Sequence, residues 1–365
     1  MGKRKKIICT VINDLTYDQR MHRVCTTLAN EGYDVLLLGR VKEKSVDLTE
    51  QVFAQKRIVC FSYTGFMMYF EFNLRVLIYL LFHRFDMVNA VDLDTIIPAS
   101  LAARIKSKPM IYDAHELFTE VPEIVNRPYL YKIWSWIETN FVPTAWASYT
   151  VALMIAEIFT EKYDQSFSVI RNVPRRQSFQ PTRKTEKIIL YQGAINTGRG
   201  LKEIIAAMIH LDEEIKLWII GDGDLYEEIK DASLATTAKQ RIKMFGYIAP
   251  EELKEMTKKA WIGINLLENV GLSYYYSLAN RTFDFIQAHV PAIHMDFPEY
   301  RAINDKYQVA ELVPDLTTDS IVKAVNSLEN EDRYDRLKQN CQIAAAELCW
   351  ENEEDKLLGI YEQLQ

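Results

Sequence analysis

The chain predicts an α/β protein of two doubly wound domains, with ligands at the C-terminal ends of the strands. Three observations predict it. Short β-branched runs alternate with helix-length segments through both halves. The alternation is broken once, over the polar, proline-bearing stretch Arg171–Lys187. A length of 365 residues also exceeds what one core usually serves.

The first series of expected strands is Lys6–Ile12, Val35–Leu38, Arg57–Cys60, Met87–Ala90, Met110–Asp113, Tyr149–Ala152 and Phe167–Ile170. The break follows, with Pro174 and Pro181 and several basic residues, and reads as a linker. The second series is Ile188–Tyr191, Lys216–Ile220, Ile242–Phe245, Ile262–Asn265, Ala292–Met295 and Ala310–Leu312. Helices are expected between them at Leu201–Leu211, Asp224–Ala232 and Pro250–Ala260. A last helix, about Asn352–Gln365, shows a broad apolar face through Leu357, Leu358, Ile360, Tyr361 and Leu364, and could pack on either domain.

Composition narrows the function. Hydrophobic content of 48% and charged content of 25% are those of a globular chain. The five cysteines contain no C-x-x-C pair, so neither a zinc site nor a disulfide framework is expected, and a cytoplasmic setting is. Residues 1–180 carry 22 Lys+Arg against 19 Asp+Glu, while the remainder is net −10, which argues against a nucleic-acid partner. The basic start, Lys3–Lys6, precedes an apolar run of only a strand's length and is not read as a signal peptide. Phe66–Phe82 is apolar but interrupted by Glu71, Asn73 and Arg75, too broken to span a bilayer. It reads either as a core helix under the sheet or as a helix lying on a membrane surface.

Four stretches carry chemistry. Ser277 to Ile286 is a cationic loop opening a helix, with Asn280, Arg281 and Asp284. A helix N-terminus suits a phosphate and a nearby acid suits a sugar diol; the plainer reading is a helix capped by Asn280, with Asp284 in its first turn. Tyr191 to Gly200 is a strand end and glycine loop, where Gly193 admits a ligand near the backbone and Arg199 could hold phosphate oxygens or simply face solvent. Ile220 to Asp224, with Gly221 and Gly223, is another strand, glycine turn and helix start, lacking the third glycine of a dinucleotide fingerprint. Tyr112 to Phe118 sets Asp113, His115 and Glu116 directly after a strand, where His115 could meet a sugar hydroxyl or a phosphate, or be a lone buried histidine. Asp92-Leu93-Asp94 has the look of a metal-binding D-x-D, but capping of the following helix explains it more cheaply.

These blocks, in this order, resemble glycosyltransferase family 4, the retaining enzymes of GT-B fold, and in particular bacterial members acting in polysaccharide and lipid-linked glycan assembly. The likeness runs from a D-x-R loop (Asp18, Arg20) through the D-A-H-E block (Asp113 to Glu116) and the junction at Ile170 to Pro174. It continues through the diphosphate loop, the G-D-G turn and the nucleotide site at Asn280 to Asp284. The resemblance implies two Rossmann-like domains facing a cleft. Residues 1–172 would be the acceptor side, completed by the helix at 350–365; 173–187 the linker; and 188–349 the nucleotide-sugar domain. It implies that Arg199 binds donor diphosphate, Asp284 the ribose, and His115 the donor sugar, with Gly193, Gly221, Gly223, Asn280 and Arg281 around the donor. Tyr247 would sit where the base is read, and Asp18, Arg20, Asp113 and Glu116 on the acceptor side.

The expected reaction is retaining, metal-independent sugar transfer from a nucleotide sugar to a glycan or lipid-linked acceptor, without a cofactor. The protein would be cytoplasmic, with peripheral contact to the inner face of a membrane. Departures from the family pattern keep a second reading open. Asp284 stands for a longer Glu, Tyr276 for another Glu, and Ala194 for a basic residue. A GT-B subunit that binds nucleotide or glycan without turnover would tolerate the first two, while Arg281 could partly compensate for the third. A dinucleotide oxidoreductase is not expected, because Asn13 to Tyr17, after the first strand, holds no glycine for a pyrophosphate.

Overall fold

The structure, a computed structural model, describes residues 4–43, 45–177 and 186–363. Lys3 of the basic start, residues 178–185 of the expected linker and the last two residues of the expected terminal helix lie outside the described residues. The chain divides into two compact units, one of residues 1–172 and 353–365 and the other of residues 173–352.

In the first unit the order is β1 (Lys6–Thr10), α1 (Gln19–Asn30), β2 (Asp34–Arg40), β3 (Ala54–Ile58), α2 (Gly65–Phe82), β4 (Met87–Val91) and α3 (Ile96–Lys106). There follow β5 (Met110–Ala114), α4 (Pro122–Val125), α5 (Pro128–Phe141), β6 (Ala147–Thr150), α6 (Leu153–Tyr163) and β7 (Phe167–Val169). The sheet order is β3-β2-β1-β4-β5-β6-β7, parallel throughout. β4 and β5 are buried along their whole length, as strands covered on both faces must be. β3 begins three residues before the expected Arg57, because pairing sets its register: Ala54 lies opposite Leu36 and Ile58 opposite Arg40. β6 likewise starts at Ala147, opposite Ile111.

The apolar segment 66–82 becomes α2, and it has two apolar faces. Met68, Phe72, Val76 and Leu80 are buried, while Phe66, Phe70, Leu74, Ile78 and Phe82 are exposed on the opposite side.

The second unit runs β8 (Ile188–Gln192), α7 (Leu201–Ala207), β9 (Lys216–Ile220), α8 (Tyr226–Ala235), β10 (Ile242–Gly246), α9 (Pro250–Thr257) and β11 (Ile262–Asn265). It continues with α10 (Leu272–Tyr275), α11 (Asn280–Gln287), β12 (Ala292–Met295), α12 (Pro298–Tyr307), β13 (Ala310–Val313), α13 (Thr318–Ser327) and α14 (Glu331–Glu347). Its parallel sheet has the order β10-β9-β8-β11-β12-β13. The strand order reverses beside β8, so the C-terminal ends of β8, β9 and β11 form the edge where doubly wound sheets bind ligands.

The last helix, α15, spans Trp350–Glu362. Its Tyr361 is fully buried in the first unit, where Asn89 of β4 donates to the Tyr361 hydroxyl at 2.7 Å and to the Tyr149 hydroxyl at 2.9 Å. A buried amide demands such partners, so the pair pins the chain end to the sheet.

Candidate active site

The sheet edge of the second unit is a nest of glycine turns around two guanidinium groups. β8 ends at Gln192 and the chain turns at Gly193, whose φ of 131° suits glycine. A Cβ there would stand 3.1 Å from Nη2 of Arg281. The neighbouring turn interlocks with it: Gly193 N–H donates to Ile220 O at 2.9 Å and Ile195 N–H to Asp222 O at 3.0 Å. A Cβ at Gly221 would overlap the Gly193 carbonyl oxygen, and one at Gly223 the Asn196 side chain. Gly221 and Gly223 therefore let two loops close on each other at the strand ends.

Arg281 lies over the Tyr191 ring at 4.4 Å, and Arg199 over the Tyr274 ring at 4.7 Å. Both are cation–π contacts on rings held by the fold, since the Tyr191 hydroxyl donates to Ala194 O and the Tyr274 hydroxyl to Thr197 O. Nε of Arg199 and Nη1 of Arg281 are buried without a hydrogen-bond partner among the described residues. Burial also holds neighbouring His294 neutral, its pKa lowered to about 3 by desolvation and by the Arg281 charge.

Asp284 accepts from Nε2 of Gln192 at 2.9 Å, and the Thr257 hydroxyl donates to Oε1 of the same glutamine at 2.7 Å. The carboxylate is thus oriented from β8 and α9. Two sequence expectations are corrected here. The N-cap of α11 is Ala279, with Asn280 the exposed first helical residue, and no side chain caps the helix. Asp284 is the fifth helical residue, beyond the first turn, so it answers to Gln192 rather than to the helix end. Tyr247, just after β10, is exposed.

The sheet edge of the first unit is built differently. Asp18 caps α1, its Oδ1 accepting from Met21 N–H at 2.9 Å, and its Oδ2 accepts from Asn13 at 2.6 Å. Arg20 is turned inward, bonding Asp113 Oδ1 at 2.8 Å and Ile170 O at 2.9 Å, with its Nε 3.4 Å from Asp113 Oδ2. The ion pair is buried on both sides. Arg20 and Asp113 therefore reach a ligand only through His115. The Nε2 of His115 is 3.2 Å from Asp113 Oδ2 and its Nδ1 is 3.6 Å from Asp92 Oδ2. Burial lowers its pKa, but Asp113 and Asp92 outweigh that and raise it to about 9. Arg20 and His115 together overcome burial at Asp113 and hold its carboxyl down at about 2. Nε2 also lies 3.1 Å from Nε of Arg20, so that side of the ring is taken up by Arg20 and Asp113, while Nδ1, too far from Asp92 for a good hydrogen bond, is the ring nitrogen a ligand can engage.

Asp92 is not the expected helix cap. It sits at φ 52° and accepts the His115 backbone N–H at 2.7 Å, bracing the loop from β4. Asp94 lies against Tyr69 of α2, and burial followed by the charges of Asp92 and Glu116 lifts its pKa to about 8. Among the described residues no group of three or more His, Cys, Asp or Glu is placed to hold a metal ion. Sequence reasoning missed Gln192, Tyr274 and the role of Asp92; only Gln192, polar at a strand end directly before a glycine turn, carried a local signal.

Two family models match. Residues 19–174 match Glycosyltransferase Family 4 and residues 174–346 match Glycosyl transferases group 1. The two meet at the division between the units and between them span residues 19–346, so the chain is a glycosyltransferase of GT-B fold. No curated protein matches it in sequence. Solved structures do so in fold. Sucrose-phosphate synthase from Thermosynechococcus elongatus is 15% identical with a TM-score of 0.80, covering 99% of each chain. HepE of Anabaena, in complex with UDP and glucose, is 10% identical with a TM-score of 0.78, covering 98% of this chain and 100% of that one. WaaG, a glycosyltransferase involved in lipopolysaccharide biosynthesis, is 12% identical with a TM-score of 0.74, covering 97% and 99%.

Proposed function

We propose that the protein transfers a sugar from a uridine diphosphate sugar to a glycan or lipid-linked acceptor, with retention of configuration. The observation that carries this reading is the pair of guanidinium groups, Arg199 and Arg281, each stacked on a tyrosine with a buried N–H that no acceptor among the described residues satisfies. Departure of the nucleotide puts negative charge on the β-phosphate, and fixed cations at that point stabilise it without reorganisation. Two such cations supply the charge that a metal ion would otherwise bring, so we propose transfer without metal or other cofactor. Asp284, held by Gln192, takes the ribose hydroxyls, Gly193 brings the backbone up against the Arg281 guanidinium, and Gly221 and Gly223 let the loops around the diphosphate close on each other. Asn280 and Tyr247 complete the donor side, with Tyr247 toward the base.

On the first unit, His115 donates through Nδ1 to the donor sugar. As an imidazolium below about pH 9 it serves as a hydrogen-bond donor and charge, not as a base. Arg20, Asp113 and Asp92 position it, while Asp18 and Glu116 lie on the acceptor side. The uridine assignment draws on HepE, solved with UDP and glucose, and the glycan acceptor on WaaG. We place the reaction at the cytoplasmic face of a membrane, where lipid-linked acceptors present their head groups.

The test is turnover of radiolabelled UDP-glucose and a panel of other nucleotide sugars, preceded by thermal shift with the free nucleotides. A nucleotide at about 100 times its dissociation constant should stabilise by roughly 2.7 kcal/mol. Binding without turnover of any donor would favour the non-catalytic subunit, which the short Asp284 and Tyr276 would suit.

A further inference from the structure

We infer that the first unit carries a three-helix docking face for an anionic bilayer interface, formed by α2, α3 and α5. The connections β3 to β4, β4 to β5 and β5 to β6 all step the same way along the sheet. Right-handed crossovers therefore place α2, α3 and α5 on one face, and α2 packs on α3 and α3 on α5. A helix apolar all round belongs in a core or in a membrane. α2 satisfies the core with Met68, Phe72, Val76 and Leu80 and turns Phe66, Phe70, Leu74, Ile78 and Phe82 outward, Phe82 being 83% exposed. α3 adds Leu101 and Ile105, and α5 adds Tyr129, 86% exposed, with Ile133 and Trp136. Exposed apolar patches of this breadth mark interaction surfaces.

Charge selects the occupant. The only acids on these three helices are Glu71 and Glu138, paired with Arg75 and Lys162. Arg104, Lys106 and Lys132 supply positive charge on the same helices, while Arg84 and Lys108, just past the ends of α2 and α3, are shared with Asp86. Aromatic and aliphatic side chains bordered by Lys and Arg fit the headgroup boundary of an anionic membrane. The buried stripe of α2 is part of the fold's core, so the helix lies on the bilayer rather than through it. Tyr69 of α2, edge-on to Trp134 of α5, also lies against Asp94 on the turn after β4, beside His115. The docking helix is therefore in direct contact with the sheet edge that holds His115.

Sedimentation of the full chain with vesicles tests this. Vesicles of equal parts phosphatidylglycerol and phosphatidylcholine should bind it at low salt, and pure phosphatidylcholine much less. High salt should weaken binding. The Phe70→Ser/Ile78→Ser variant and, separately, Arg104→Glu/Lys132→Glu should each lower partitioning about tenfold or more. Ile343→Ser, at an exposed apolar residue of the second unit, should leave it unchanged. Thermal melting and nucleotide binding should match the unaltered chain in all three variants, which separates a failure here from a failure of the donor site. Absence of binding to anionic vesicles would overturn the inference, as would binding that survives both face variants. Concentration-dependent dimers in sedimentation velocity that the Phe70→Ser/Ile78→Ser variant abolishes would also overturn it, assigning the face to a second copy.

Discussion

The two sheet edges hold arginines in opposite states. In the first unit Arg20 is buried against Asp113, which in turn holds His115, so every charge has a neighbour of the other sign. In the second, Arg199 and Arg281 rest on aromatic rings with buried N–H groups unengaged. A saturated lattice of ion pairs orients one donor and stabilises the fold. Cations resting on aromatic rings gain less from their surroundings, which is what the proposed diphosphate site requires. An arginine at a sheet edge is thus fixed by ion pairs or left on an aromatic ring according to what the fold sets against it.

Removing one arginine from each edge should break the comparison apart. Arg20→Ala leaves Asp113 buried and half-compensated, and should destabilise the first unit by about 3–5 kcal/mol in denaturant unfolding. Arg281→Ala should leave the unfolding midpoint nearly unchanged, yet cost donor turnover about 100-fold or more, with Arg281→Lys recovering part of it. Equal stability losses in the two variants would erase the distinction.

The first edge should also show its charge in a pH profile. His115 binds its proton more tightly folded, near pH 9, than unfolded, near 6.5. Its contribution is fully present below about pH 6.5 and is lost as pH rises through 9, to an extent of at most about 3 kcal/mol. Asp94, raised to about 8, adds a loss in the same direction over the range between its unfolded value and pH 8. His115→Gln should flatten the profile between pH 6.5 and 9; an unchanged slope would show that the aspartates do not hold the imidazolium.

Smaller effects refine the second edge. Asp284→Ala should weaken nucleotide binding about tenfold or more by calorimetry, in keeping with roughly 1.5–3 kcal/mol for a charged hydrogen bond. Asp284→Glu should bind at least as well, and unchanged affinity in the alanine variant would remove the ribose role. Tyr361→Phe, which removes an acceptor for buried Asn89, should cost only about 1 kcal/mol and leave nucleotide affinity untouched.

Much of this was legible in the chain because strands and glycine turns announce themselves locally. Lys216–Ile220, Ile262–Asn265 and Ala292–Met295 have the expected bounds, since each is an apolar run whose ends coincide with turns. β3 was displaced because its bounds come from pairing with β2, and Ala54 and Gln55 carry no strand signal of their own. Asn280 looked like a cap because capping residues and ligand-binding residues are the same small polar types; the backbone placed Ala279 there instead. The exposure of one side of α2 was likewise invisible, since apolar residues on both faces of a helix read alike along the chain.

By itself the sequence determined the alternation of strands and helices, the break between two units, and the glycine loops at the strand ends, because each depends on neighbours within a few residues. It also carried the order of blocks that marks a GT-B glycosyltransferase. Tertiary structure decided which charges are spent. Arg20 meets Asp113 across 93 residues and Gln192 meets Asp284 across 92, while Arg281 comes to rest on Tyr191. Such pairings depend on where parallel strands lie in the sheet, and a side chain's availability to a ligand is what remains after the fold has taken its share.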